Sequence, residues 1–135
     1  MVDELDIHEK KEIEDLLIKK LYDDPGDTLI IETLSYMGSE KAMPTIRASL
    51  ENCENSVQKI IIAVSIYKVN HENNMIDIAI DSFKRLYDRI DLITVFSYLK
   101  EFNDRRVNDI IKRYIDNPDF LISYNAKHAL GLIKD

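Results

Sequence analysis

Tryptophan is absent from the 135 residues, cysteine occurs once, and glycine and proline three times each. With Cys53 alone, an internal disulfide and any cysteine-rich zinc site are excluded. Cys53 lies in the polar stretch ENCENS, with no neighbouring His or Lys to favour a thiolate, so it lacks the base that a catalytic nucleophile needs. Three glycines supply no phosphate-cradling loop, and there is no Gly-x-Ser-x-Gly elbow. The longest apolar run, IIIAVSIY at 60–67, falls far short of the roughly 20 residues that cross a bilayer. The opening MVDELDIHEK is acidic and has no apolar stretch, which argues against a secretory signal. A cytoplasmic location is therefore expected, with no membrane partner.

What is present is a composition of 45% hydrophobic and 32% charged residues, enough for one globular domain with a continuous core. The net charge of −7 is unevenly placed. Ten carboxylates face four lysines in residues 1–27, so this end holds −6 and the remainder −1. Such a distribution repels nucleic acid and attracts a basic partner. Seven basic side chains do gather late in the chain (Lys84, Arg85, Arg89, Arg105, Arg106, Lys112, Arg113). They alternate with Asp81, Asp88, Asp104 and Asp109, which points to paired surface charge rather than a phosphate track.

A helical corner recurs. LSYMGSEKAMPTI ends one helix near Met37, turns at Gly38 and restarts at Ser39. SYLKEFNDRRVNDII repeats this 65 residues later, with Asn103 for Gly38 and Asp104 for Ser39, substitutions that keep the left-handed cap and the N-cap chemistry. Midway stands IYKVNHENNMIDI, with Val69 and Asn70 in the corresponding places, and the chain's last step ends at Ile133. A period near 32 made of two helices implies an all-α, short right-handed α-solenoid of about seven to eight helices. Helices are expected at 5–22, 28–37, 40–51, 56–69, 73–87, 91–102, 105–115 and 120–133. The organisation expected is a single domain over 1–135, with an acidic capping helix in 1–26 and repeats over 27–135. Ala42, Ile46, Leu50, Ile62, Ile78, Ile111, Ala129 and Leu130 are the expected core.

These residues resemble HEAT-type repeats, specifically the short variety named after the phycobilisome lyases. TLSYMGSEKAMPTIRASLEN matches the family's corner and second helix, and NAKHALGLI the end of its first helix, with Ala126, Ala129, Leu130 and Gly131 in register. The likeness covers about residues 27–133. The arginine usual after the opening valine is missing: Val57 is followed by Gln58, and Ile122 by Ser123. Deoxyhypusine hydroxylase, also built of HEAT repeats, holds iron through His-Glu pairs. His8-Glu9 and His71-Glu72 are similar dipeptides, but one lies in the acidic first helix and the other in a corner, while His128 is followed by Ala129, so convergence on one metal is not expected.

No catalytic, cofactor or metal residue is therefore expected, and no small-molecule substrate. The resemblance implies a non-enzymatic protein-binding module. The small acidic chain looks like a bacterial immunity protein that neutralises a basic toxin such as a nuclease. An adaptor or lyase-type subunit acting on a partner is the alternative, and a metal-dependent hydroxylase a remote one. Counting around the second helices places Lys41, Thr45 and Arg47, then Asp77, Asp81 and Lys84, then Arg106, Asp109 and Arg113 on a solvent-facing ridge, flanked by Glu9 and Glu12 of the first helix. Seven tyrosines offer either contact surface or inter-helix packing.

Overall fold

The computed structural model describes residues 6–134, which contain eight α-helices and no strand. They are α1 Ile7–Asp23, α2 Thr28–Tyr36, α3 Met43–Glu51, α4 Ser56–Asn70, α5 Asn74–Phe83, α6 Arg89–Leu99, α7 Arg105–Lys112 and α8 Phe120–Ala129, with a 3-10 turn at Lys100–Phe102. No described helix is long and apolar enough to cross a membrane.

The helix starts follow from side-chain chemistry. Asp6, Asp27, Asn55, Asp88, Asp104 and Asp119 each accept a backbone N–H from the first turn of the helix they precede. Such a cap satisfies donors that have no intrahelical acceptor, and five of these six also bring a carboxylate to the positive end of the helix dipole. Five of the chain's 25 acidic side chains thereby have a structural role.

The ends are as definite. After α2, Gly38 N–H donates to Ser35 O and Ser39 N–H to Leu34 O, and after α8, Gly131 N–H donates to His128 O and Leu132 N–H to Lys127 O. These paired bonds form a Schellman motif, which requires a left-handed residue, and Gly38 and Gly131 have φ 70 and 76. Asn103 is left-handed as expected, at φ 47. In the middle corner the left-handed residue is His71, φ 55, and not Asn70, which remains the last residue of α4. The four left-handed positions, 38, 71, 103 and 131, are thus separated by 33, 32 and 28 residues, and the residue before the last of them is Leu130, where the periodicity places Ile133.

Packing radiates from α4, which touches α2, α3, α5, α6 and the 3-10 turn. Seven consecutive residues of it, Ile60 to Ile66, are buried. A helix apolar on every side has to be enclosed on every side, and IIIAVSIY is this one. Contacts then run α1 to α2, α2 to α4, α4 to α6 and α6 to α8, so that alternate helices form one row. Of the expected core, Ala42, Ile46, Leu50, Ile62 and Ile111 are buried. Ile78 is only half-buried: in α5 the inward positions are Met75, Ile76, Ala79 and Phe83, one step round the helix. Ala129 and Leu130 are half-buried at the end of α8, which packs mainly against α6 and α7.

Four helices are shorter than the periodicity suggests by three residues or more, α7 among them, which ends at Lys112 and not at 115. α3 begins at Met43 and not at 40, because the Ser39 side chain, itself buried, caps the corner: its hydroxyl accepts the Ala42 N–H and donates to Glu14 of α1. α5 stops at Phe83 instead of 87, where Arg85 and Leu86 N–H donate to Ser82 and Phe83 O in tightened turns before the Asp88 cap. α8 stops at Ala129 because the chain turns left-handed at Gly131.

Candidate functional site

A cleft of about 560 Å³ lies between α5 and α7. Its walls are Asp77, Ile80, Asp81 and Lys84 on one side and Arg106, Asp109, Ile110 and Arg113 on the other. Both sets have the spacing i, i+3, i+4, i+7, which is a single helical face, and each member of the first stands 29 positions before its counterpart in the second. Equivalent faces of two successive outer helices are therefore turned toward one another. Ile80 and Ile110, half-buried against the core, form an apolar floor between the charges.

Most of those charges already have partners. Arg106 donates to Asp77 across the cleft at 2.8 Å and lies 3.6 Å from Asp104 on its own side. Asp81 lies 3.5 Å from Arg85, and Asp109 3.8 Å from Lys112. All but the half-buried Asp104 are well exposed, so each pair is worth at most about 1 kcal/mol, and they act mainly to orient the side chains. Lys84 and Arg113 have no ion-pair or side-chain hydrogen-bond partner among the described residues. A second cleft of about 360 Å³, lined by Phe83, Lys84, Leu86, Ile110, Arg113 and Tyr114, shares these two cations and Ile110, which makes the two clefts one continuous groove.

Six of the eleven residues singled out from the sequence (Asp77, Asp81, Lys84, Arg106, Asp109, Arg113) thus meet in one place. Lys41 and Arg47 do not join them. Lys41 donates to Asp15 of α1 at 2.6 Å and borders a separate cleft of about 380 Å³ with Ile7, Glu14 and Tyr36. Arg47 forms a fork with both carboxylate oxygens of Glu72. That contact holds the Glu72 carboxyl below its usual range, with burial opposing, and it fastens α3 to the corner after α4. The single ridge expected from α3 to α7 is therefore divided: its α3 segment is tied into the fold and its α5 and α7 segments form the cleft. Glu9 and Glu12 lie exposed on α1, and Thr45 borders a further cleft of about 220 Å³ with Tyr22, Pro25 and Pro44. Ile80 and Ile110 were absent from the sequence-derived set. Their signal was positional, since each lies on the face that carries the charges.

The row of α2, α4 and α6 has its own polar feature. Burial, and next the hydrogen bond from its hydroxyl to the Glu32 carboxylate, push Tyr98 up to about 12. Glu32 Oε1 is buried without a partner among the described residues. Of the other tyrosines, Tyr67 and Tyr114 pack edge-on against Phe102 and against Phe83 and Phe96, while Tyr22, Tyr36 and Tyr87 are exposed.

Among the described residues no three His, Cys, Asp or Glu side chains come together as a metal would require. Glu72 is engaged by Arg47, and the exposed His71 ring meets the edge of Tyr67. Cys53 Sγ donates weakly to Asn55 O and Gln58 Oε1, at 3.4 and 3.5 Å. Comparison of the chain with protein-family models, curated proteins and solved structures found no match.

Proposed function

We propose that this chain is a non-enzymatic protein-binding module, a short α-solenoid of HEAT-like helical hairpins that holds another protein. The row formed by α2, α4, α6 and α8 and the regular left-handed corners support the solenoid reading. The observation that carries the binding role is the groove between α5 and α7: it is open, amphipathic, lined from two equivalent helical faces, and furnished with charges already oriented by ion pairs. Oriented charge around an apolar floor suits a protein surface, because the apolar part contributes affinity and the charges set register.

In its most specific form the proposal is an inhibitor of a basic toxin domain, such as a nuclease. Support comes from the −6 concentrated in residues 1–27 and the exposure of Glu9 and Glu12 on α1. In this scheme α1 draws the partner in by long-range attraction, which salt weakens, and the groove governs how long the complex lasts.

The test uses the whole chain as immobilised bait against a lysate of its source cells, beside two exposed-surface variants. One carries Glu9→Lys and Glu12→Lys, the other Asp77→Lys, Asp81→Lys and Asp109→Lys, both with helical content unchanged. The expected result is a basic protein whose own activity is suppressed by the bait, bound more slowly by the first variant and released at a changed rate by the second. A partner retained equally by all three, or one whose activity is unaffected, would overturn the inhibitor reading.

A further inference from the structure

The carboxylates of the groove are all engaged, while two of its cations are not. Asp77 holds Arg106, Asp81 lies beside Arg85, and Asp109 beside Lys112. Lys84 and Arg113 stand at the junction of the two clefts, both exposed, with Ile110 shared between them and Ile80 and Leu86 on either side. We infer that the groove recognises an acidic side chain of a partner protein, presented in a segment where it is flanked by apolar residues, with the carboxylate received between Lys84 and Arg113. The inference rests on the protein-binding reading above and assigns the chemistry of its central contact.

The chemistry follows from what each group still lacks. A guanidinium offers a planar fork that suits a carboxylate, and an ammonium adds a second positive charge with freely rotating donors. A cation with no partner gains more from an incoming carboxylate than a paired one, whose existing contact would first have to break. A polyphosphate or nucleic acid is a poorer match. Its closely spaced charges would run along the groove past Asp77, Asp81 and Asp109, and like-charge juxtaposition opposes it. One carboxylate flanked by leucine or isoleucine fits both halves of the site, the two free cations and the Ile80, Ile110 and Leu86 floor. A partner of this kind is basic in its overall surface, toward α1, and acidic at one anchoring segment.

The experiment titrates the intact protein with acetyl-Gly-Leu-Glu-Leu-Gly-amide, following backbone amide shifts by NMR. The same measurement is made with the Gln counterpart of the peptide, with inorganic triphosphate and with a short single-stranded oligonucleotide. The expected result is saturable shifts confined to α5, α7 and the turns after them, at least about tenfold weaker for the Gln peptide. Lys84→Gln and Arg113→Gln should each weaken the Glu peptide several-fold, and the double variant should remove the response. Asp81→Asn should leave it unchanged or tighter. Equal binding of the Glu and Gln peptides, or no loss in the double variant, would overturn the inference, and tighter binding of triphosphate or oligonucleotide would make this a phosphate site instead. If the peptide fails while lysate capture yields a partner that depends on Glu9 and Glu12, only the groove chemistry is wrong. If no partner is captured although the peptide binds, the inhibitor reading falls instead.

Discussion

Helices α4 and α7 are each about as apolar as their places demand, and they differ in nearly everything else. α4 buries seven consecutive residues and touches most of the molecule, whereas α7 buries only Val107 and Ile111 and gives its other side to Arg106, Asp109 and Arg113. An enclosed helix has no surface to spare for recognition, and its sequence is constrained by packing density. An outer helix needs only a narrow apolar stripe, so its remaining positions are free to carry chemistry. The difference locates stability in the α2, α4 and α6 row and leaves the α5 and α7 pair to carry the proposed binding.

The largest test of that division is a buried charge. Ile62→Asp in α4 should abolish the cooperative melt, because an unpaired carboxylate would be placed where the side chain is 1% exposed and several kcal/mol of desolvation have no compensation. Ile46→Asp and Ile111→Asp, both at 0% exposure, should do the same. Asp109→Lys, on the outer face of α7, should move stability by no more than about 0.5 kcal/mol. Thermal unfolding followed by circular dichroism measures all four. A folded Ile62→Asp protein would show that the central helix is not enclosed.

Smaller effects separate the corners. Gly38 has φ 70 with open space around an added Cβ, so Gly38→Val is penalised by backbone strain rather than by collision, at about 1–2 kcal/mol. His71 occupies the same conformation at φ 55, and His71→Gly should stabilise, by less than about 1 kcal/mol. Asp104→Ala removes an N-cap that accepts from Arg106 N–H and Val107 N–H and should cost about 1 kcal/mol. Denaturant midpoints at constant slope would report these changes. A destabilised His71→Gly would mean that the imidazole's contact with Tyr67 outweighs the strain.

These corners also explain what was legible in the sequence. Gly38, Asn103 and Asp104 were readable because Gly and Asn are the common left-handed residues and Asp a common cap. His71 was not, since histidine takes that conformation less often and Asn70 beside it is the better candidate by type. The spacing did not decide either, because the midpoint between Gly38 and Asn103 falls between 70 and 71. Ile78 was misplaced for a related reason: in MIDIAIDSF several apolar residues sit one position apart, and periodicity alone does not say which of Ile76 and Ile78 faces inward. The groove was half legible. Charged residues at helical spacing marked its walls, but the engagement of Lys41 by Asp15 and of Arg47 by Glu72 depends on pairs 26 and 25 positions apart, which no local pattern encodes.

The finest prediction concerns the row rather than the groove, and it is read by titration. Burial raises the Tyr98 phenol from 10.0 to about 12, and the hydrogen bond to Glu32 and that carboxylate's negative charge act in the same direction. The folded protein therefore binds this proton more tightly than the unfolded chain. Its contribution to stability is fully present below pH 10 and is lost as the pH rises from 10 through about 12. In Tyr98→Phe that pH-dependent loss should vanish, and the difference in tyrosinate absorbance between the two proteins should develop near pH 12. Glu32→Gln should bring the transition down only part of the way, because burial, the larger cause, remains. A difference spectrum that develops near pH 10 would mean that the phenol is hydrated, and that the α2, α4 and α6 row is open to solvent at a point where α7 was taken to be the exposed element.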